Sequence, residues 1–244
     1  MTFHSLHVPG DPLILPNAWD HASAALLAQH FPAVGTTSLG VAAAYGVPDA
    51  EGLAAEQTLD LARRIVHLPC FISVDIESGP ASLAIELASL SIAGVNIEDA
   101  VGLPEQLCRT ISEVKQAAPD LFINARTDTY WLGSDHSSTL QRLSAYLEAG
   151  ADGVFVPGLT DPAVIADLVK QLGAPLNVLY SPDGLSVQQL AELGVARIST
   201  GSALYRASLE AALNLALSVS GKTAAQMLNY AQIQSLAQAG FVAE

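Results

Sequence analysis

The chain has 244 residues and a formal net charge of −14 at pH 7, and half of its residues are hydrophobic. So strong a negative charge argues against nucleic acid or an anionic membrane as a partner. The two cysteines are too few for a disulfide framework, no clean apolar stretch reaches the roughly 18 residues of a membrane span, and Met1 begins no signal-peptide pattern, so we expect a cytoplasmic protein with free thiols.

In chain order, short β-rich runs alternate with segments of helical spacing. Eight strands are predicted, over 13–16, 33–38, 70–75, 94–98, 121–125, 153–156, 175–179 and 196–199. Eight helices are predicted between and after them, over 20–30, 56–67, 81–93, 104–117, 138–149, 162–172, 187–193 and 203–219. Eight such units without a linker predict an α/β fold, a (β/α)8 TIM barrel that forms one domain over residues 1–244. An additional helix over about 222–237 would dock on the barrel or on a neighbouring subunit.

The third predicted strand ends in two acidic residues, in the run Cys70-Phe71-Ile72-Ser73-Val74-Asp75-Ile76-Glu77-Ser78-Gly79. In extended chain Asp75 and Glu77 point the same way, which places two negative charges on one face. A hard divalent cation relieves their repulsion, because Mg²⁺ takes oxygen ligands and needs only one or two carboxylates directly. Mn²⁺ is an open alternative. A strand end at which both acids are simply solvated is the other interpretation.

Polar residues also follow the other predicted strands of the first half of the chain. They are Asn17 and Asp20, Ser38, Glu98 and Asp99, and Arg126 and Asp128. The strand starts carry ordinary residues such as Leu68 and Pro69. Barrel enzymes place their chemistry at the carboxyl ends of the strands, so this asymmetry favours a carboxylate-lined active site.

These strand ends resemble those of the isocitrate lyase/phosphoenolpyruvate mutase superfamily. The match extends from Leu15-Pro16-Asn17 to Tyr205-Arg206. It is carried by Thr37-Ser38-Leu39-Gly40 with Gly46-Val47-Pro48-Asp49, by Val74-Asp75-Ile76-Glu77-Ser78-Gly79, by Asn96-Ile97-Glu98-Asp99 and by Asn124-Ala125-Arg126-Thr127-Asp128. The resemblance implies a (β/α)8 barrel, a dimer or tetramer with a C-terminal helix exchanged between subunits, and chemistry at a C–C or P–C bond beside a pyruvate-like unit.

The resemblance also implies roles for individual residues. Asp75 would bind Mg²⁺ directly, and Glu77, Glu98 and Asp49 would hold metal-bound waters. Backbone N–H groups of Ser38, Leu39 and Gly40 would bind a substrate carboxylate, together with the guanidinium of Arg126 and the amide of Asn177. Asp49, Arg126 and Tyr45 are the candidate catalytic residues. For Tyr45 the alternative is that it only packs its loop.

The sequence departs from the superfamily just after Glu98. Lyases and mutases of the superfamily carry a mobile loop there with a lysine and, in lyases, a cysteine acid. Here Ala100-Val101-Gly102-Leu103 leads directly into a predicted helix, so the loop is short and has neither residue. Cys108 lies inside that helix and is expected to be structural.

We therefore expect a Mg²⁺-dependent lyase or decarboxylase that acts on a small 2-oxo or 2-hydroxy carboxylate through a pyruvate-like enolate. The short loop disfavours an isocitrate or methylisocitrate lyase. Phosphonopyruvate chemistry, by a mutase or a hydrolase, is the alternative within the enzyme class. A protein that binds a carboxylate without turning it over is the alternative outside it.

Overall fold

The protein is described by a computed structural model that covers residues 1–223 and 226–238. Nine strands are found there: β1 (Leu13–Leu15), β2 (Asn17–Ala18), β3 (Ala33–Thr36), β4 (Phe71–Asp75), β5 (Gly94–Glu98), β6 (Phe122–Arg126), β7 (Gly153–Val156), β8 (Leu176–Leu179) and β9 (Arg197–Ser199). All neighbouring pairs are parallel, in the order β1-β9-β8-β7-β6-β5-β4-β3-β2.

The first two strands act as one barrel strand that is interrupted at Pro16. β1 pairs with the last strand and β2 pairs with β3. Proline has no N–H to donate, which breaks the ladder, but the Pro16 carbonyl still accepts from the Gly35 N–H at 2.8 Å. The (β/α)8 TIM barrel predicted from the sequence is confirmed, with eight strand positions around one axis.

The described residues also form ten α-helices. They are α1 (His21–Leu27), α2 (Ser38–Ala44), α3 (Ala55–Ile65), α4 (Ala81–Ser89), α5 (Pro104–Ala117), α6 (Thr139–Glu148), α7 (Pro162–Leu172), α8 (Val187–Glu192), α9 (Ala203–Val219) and α10 (Tyr230–Gln238). Short 3₁₀ turns occupy His4–Leu6 and His136–Ser138. None of the helices in these ranges has the length and apolar character needed to cross a membrane.

Most predicted elements differ from the structure by one to four residues at one end or both, and two differences concern elements near the pocket described below. The strand predicted over 33–38 ends at Thr36, because Ser38 already begins α2, a short helix that the sequence analysis missed. The additional helix predicted over about 222–237 begins only at Tyr230. Residues 224–225 of that prediction lie outside the described residues.

The described core has three parts, of which the smallest joins α2, α9 and α10. The largest one lies between the outer faces of the strands and the helices, and includes Ile72 and Val74 of β4. A smaller cluster, with Phe3, Leu13 and Phe122, fills the amino-terminal end of the barrel. With that end closed, the opposite end of the barrel is left for the polar residues that follow the strands.

Candidate active site

A pocket opens at the carboxyl ends of the strands, as the sequence analysis expected for a barrel enzyme. Five carboxylate side chains line it: Asp49, Asp75, Glu77, Glu98 and Asp128. Arg126 is the one cationic side chain among the described lining residues. The pocket therefore brings together a large excess of negative charge.

Asp75 and Glu77 both reach this pocket, but not for the reason that the sequence suggested. β4 ends at Asp75, and Glu77 adopts a left-handed conformation with φ of 53°, so the two residues are not on one face of an extended strand. The Asp75 Oδ1 accepts from the Glu77 N–H at 3.2 Å, and the Glu77 Oε2 accepts from the Gly52 N–H at 2.9 Å. The expectation from strand geometry was wrong, and a turn brings the carboxylates together instead.

Burial disfavours the ionised form of three of these carboxylates. Removal from water raises the pKa of Asp75 to about 6, that of Glu77 to about 7 and that of Glu98 to about 8. Asp49 adds to the rise for all three, because its charge repels theirs. Arg126 opposes the rise in each case, but one guanidinium does not cancel it.

Arg126 at the end of β6 is held by two neighbouring carboxylates. Its Nη1 lies 2.7 Å from the Glu98 Oε2, and its Nε lies 2.6 Å from the Asp128 Oδ1. The guanidinium also lies over the ring of Phe155, 5.8 Å from the ring centroid. Since Nε and Nη1 are engaged, Nη2 is the nitrogen that remains for the predicted contact with a substrate.

The predicted carboxylate-binding segment is the first turn of α2 rather than a loop. Ser38, Leu39 and Gly40 begin this helix, where backbone N–H groups have no partner within the helix. Ser38 and Leu39 line the pocket. Gly40 has a packing role, because a Cβ there would lie 2.7 Å from the Thr37 Cγ2 and 2.8 Å from the Trp19 Cβ. Position 40 therefore requires glycine because protein side chains pack closely against it.

Besides Gly40, two further predicted site residues lie away from the described lining of this pocket. Tyr45 is 57% exposed on the outer surface. Asn177 is fully buried in the barrel, where its amide donates to the Ser199 Oγ at 2.9 Å. Neither Tyr45 nor Asn177 therefore lines the pocket with the carboxylates, and the roles of both residues toward a substrate stay predictions.

Hydrogen bonds of the buried Asp99 fix the short loop after Glu98. Its Oδ2 accepts from the Tyr146 hydroxyl at 2.7 Å and from the Arg142 Nη1 at 3.1 Å. Its Oδ1 accepts from the Val101 N–H at 2.9 Å, which holds Val101 at a φ of 54°, an unfavourable value for a β-branched residue. We call this arrangement the Asp99 clamp.

Sequence reasoning missed the polar floor of the pocket. Asn96 and Ser199 line it, and the buried Arg197 donates to both, from Nη2 to the Asn96 Oδ1 at 3.1 Å and from Nε to the Ser199 Oγ at 3.1 Å. Asn124 also donates to the Asn96 Oδ1, at 2.9 Å. The sequence did carry a signal for this polar floor, because Arg197 is a charged residue between Ala196 and Ile198 in a predicted buried strand.

Tyr230, which α10 brings to the pocket, was not predicted from the sequence either. Its hydroxyl donates to the Asp49 Oδ2 at 2.6 Å. The other carboxylate oxygen, Oδ1, is buried and has no hydrogen-bond partner among the residues that the structure describes. Asp49 itself was predicted as a site residue only from the resemblance to the superfamily.

The chemistry of the donor set fits a hard divalent cation. Among the residues that the structure describes, no three His, Cys, Asp or Glu side chains converge closely enough to hold an ion directly. Mg²⁺ commonly uses one or two carboxylates and keeps several waters, so wider spacing suits it. The unpartnered Oδ1 of Asp49 and the raised pKa values of the other acids fit carboxylates that ionise together with the binding of a cation.

Comparison with known proteins identifies the family. A family model described as Phosphoenolpyruvate phosphomutase matches residues 3–220. The chain belongs to this family. The wider resemblance to the isocitrate lyase/phosphoenolpyruvate mutase superfamily is also confirmed.

Relatives in the superfamily differ in their named activities. An uncharacterized protein of Mycobacterium tuberculosis (strain ATCC 25618 / H37Rv) is 45% identical over 247 residues, which cover 96% of this chain and 95% of that protein. An oxaloacetate decarboxylase of Pseudomonas aeruginosa (strain LESB58) is 31% identical over 169 residues, covering 61% of this chain and 58% of that protein. The crystal structure of a phosphonomutase candidate from Burkholderia cenocepacia J2315 matches with a TM-score of 0.81 and 34% identity, over 90% of this chain and 96% of that one. The comparisons thus support an enzyme of the lyase and mutase type.

Proposed function

We propose that this protein is a Mg²⁺-dependent enzyme that breaks a C–C bond of a small 2-oxo or 2-hydroxy carboxylate. A 2-oxo acid would leave a pyruvate-like enolate. A 2-hydroxy acid would lose its hydroxyl proton and give a 2-oxo acid, and the bonding electron pair would stay on the departing carboxylate as its enolate. The observation that carries the proposal is the pocket in which five carboxylates surround one guanidinium. Such an excess of buried negative charge is costly without a cation, and an anionic substrate would add to it.

The metal would be held by the acids of the pocket. Asp75 is the proposed direct ligand, and Asp49, Glu77 and Glu98 are the proposed acceptors for metal-bound waters. A bound Mg²⁺ supplies positive charge where the enolate oxygen develops negative charge in the transition state.

The protein's own donors would orient the substrate. The Nη2 of Arg126 would bind the same carboxylate as the first N–H groups of α2, because Arg126, Ser38 and Leu39 line one pocket, and the two sets of donors would fix one end of the substrate. Each such donor contributes about 2–4 kcal/mol to a barrier when it is preorganised for the developing charge. Glu98 and Asp128 hold the guanidinium in place for this task.

The loop after Glu98 favours decarboxylation among the possible C–C cleavages. The Asp99 clamp holds this loop, and the loop has no lysine or cysteine that could act as an acid. Decarboxylation needs no such acid, because CO₂ leaves without a proton and the bonding electron pair stays on the pyruvate-like fragment. Solvent then protonates the enolate carbon.

Phosphonopyruvate chemistry is the second candidate, and the likeness to the Burkholderia cenocepacia phosphonomutase candidate favours it. A phosphonate carries more negative charge than a carboxylate, and the described lining offers only Arg126 to meet it. We therefore rank cleavage of a P–C bond below that of a C–C bond. A protein that binds carboxylates without turnover is the third candidate.

The test is a pyruvate-release assay on oxaloacetate, malate-like acids and phosphonopyruvate, with Mg²⁺ and then with excess chelator. The proposal expects chelator-sensitive release from oxaloacetate or from a malate-like acid. Release from phosphonopyruvate alone would assign the P–C reaction instead. Pyruvate release that continues undiminished in chelator would contradict the metal mechanism. If the protein binds Mg²⁺ but releases no pyruvate from any of these substrates, the result would favour a protein that binds carboxylates without turnover.

A further inference from the structure

The C-terminal helix α10 contacts one residue of the proposed metal site through three hydrogen bonds. Tyr230 donates to the Asp49 Oδ2 at 2.6 Å. One turn further, the Gln234 side chain donates to the Asp49 carbonyl at 2.9 Å and accepts from the Asp49 N–H at 3.0 Å. Both backbone polar groups of Asp49 and one of its carboxylate oxygens are therefore held by α10.

α10 is itself anchored to the barrel by apolar packing. Ile233 is 1% exposed and belongs to a cluster with Leu39 of α2 and Tyr205 of α9. The ring of Tyr230 meets the ring of Trp131 edge to face, with the centroids 5.4 Å apart. Because these contacts do not involve Asp49, the helix provides a fixed support to which Asp49 can be held.

The segment that carries Asp49 has little structure of its own. It connects α2 to α3 over residues 45–54, and Gly46, Ala50 and Gly52 in it have left-handed backbone conformations. The bond from the Gly52 N–H to Glu77 holds its far part. The position of Asp49 therefore depends on α10 more than on regular structure within its own segment.

We propose that Tyr230 and Gln234 are positioning residues of the active site, which fix Asp49 so that its unpartnered Oδ1 faces the metal-bound waters. The proposal rests on the proposed function for the role of Asp49 and assigns α10 a part in the site. Tyr230 sets the rotation of the carboxylate, because its bond to Oδ2 leaves Oδ1 as the free oxygen. Gln234 sets the position of the backbone.

The two roles are separated by two variants and one control. Tyr230→Phe removes only the hydroxyl, Gln234→Leu removes both backbone bonds, and Ser235→Ala changes an exposed residue of the same helix whose hydroxyl bonds only the Ala231 carbonyl. Mg²⁺ affinity is measured by calorimetry on metal-free protein. Protection of the 46–54 segment is measured by amide hydrogen exchange.

For Tyr230→Phe we expect a Mg²⁺ dissociation constant about tenfold higher, the usual effect of losing a partner that orients a metal-site group, with exchange of 46–54 unchanged. For Gln234→Leu we expect about tenfold faster exchange of 46–54, because the Asp49 N–H loses its acceptor. Ser235→Ala should match the wild type in both measurements.

Tyr230→Phe with the same Mg²⁺ affinity as Ser235→Ala, or Gln234→Leu with unchanged exchange, overturns the proposal. If the wild type binds no Mg²⁺, the proposed function fails. The exchange comparison then decides by itself whether α10 holds Asp49, since it needs neither metal nor substrate.

Discussion

At the scale of single residues, Arg197 is an unusual feature of this barrel. It is 1% exposed, and among the described residues its Nη1 has no hydrogen-bond partner and no carboxylate forms an ion pair with it. Burial lowers its pKa to about 9, although the charge of Asp75 acts against this. A buried cation that is incompletely paired contributes little net stability, so its volume should matter more than its charge.

Substitution of Arg197 by residues of different size tests this view. Arg197→Met keeps most of the volume, and we expect a free energy of unfolding within about 1 kcal/mol of the wild type. Arg197→Ala leaves a cavity in the barrel and should lose about 3 kcal/mol. Urea unfolding measures both. Equal losses in the two variants would show that the bonds to Asn96 and Ser199 dominate instead.

Several site residues could be predicted from the sequence, for physical reasons that differ. Asp75 and Glu98 end apolar strands, so the period of the strand and its abrupt polar end place them at the mouth of the barrel. Arg197 and Tyr230 could not be placed this way. The role of Arg197 depends on the opposite side of the barrel, and Tyr230 depends on where a distant helix docks, which no local pattern encodes.

At the scale of elements, the Asp99 clamp joins β5 to α6. Asp99 follows β5, whereas Arg142 and Tyr146 belong to α6, and Arg142 also donates to the Gly102 carbonyl at 2.8 Å. The clamp accounts for a short loop that lies against the barrel with two residues, Ala100 and Val101, at positive φ.

Removal of the arginine from the clamp should be costly. Arg142→Leu leaves the Asp99 charge buried with fewer partners, and we expect a loss of about 2–3 kcal/mol in the free energy of unfolding. Arg64→Leu is the control, because its ion pair with Asp60 is exposed and should contribute less than about 1 kcal/mol. Similar losses for the two variants, measured by urea unfolding, would show that the clamp is no stronger than a surface ion pair.

The strands and most helices were predicted to within a few residues, because strand period, proline and glycine mark their ends. α5 and α7 match their predicted bounds, and proline begins each of them. α2 was missed because it has only seven residues, four of them buried, so it shows no polar face. The start of α10 was placed too early although the sequence carries a signal for it: Asn229 and Gln232 form a capping box, in which the Gln232 N–H donates to the Asn229 Oδ1 and the Asn229 N–H donates to the Gln232 Oε1, each at 2.9 Å.

At the scale of the whole molecule, the buried carboxylates couple folding to pH and to metal. Their pKa values in the folded protein, about 6, 7 and 8 for Asp75, Glu77 and Glu98, exceed the values of about 3.9–4.3 in unfolded chains. The folded protein therefore holds more protons than the unfolded chain between these values. Their contribution to stability is present at low pH and is lost as the pH rises through this window.

Mg²⁺ should reverse this loss, because it binds the ionised carboxylates and competes with protons. We expect the rise in melting temperature on addition of Mg²⁺ to be small at pH 5.5 and several degrees larger at pH 8. Thermal melts with Mg²⁺ or with chelator at each pH measure it, and NaCl at matched ionic strength controls for screening. A rise that is independent of pH would count against metal binding by these groups.

The most direct test of the account is to compare Asp75→Ala with the wild type in Mg²⁺ calorimetry and in the pyruvate-release assay. Asp183→Ala, at an exposed position in the loop after β8, is the matched control. We expect the wild type and the control to bind Mg²⁺ and to release pyruvate, and Asp75→Ala to lose both while remaining folded. Metal binding and turnover that survive in Asp75→Ala would contradict the proposal that this carboxylate holds the catalytic metal.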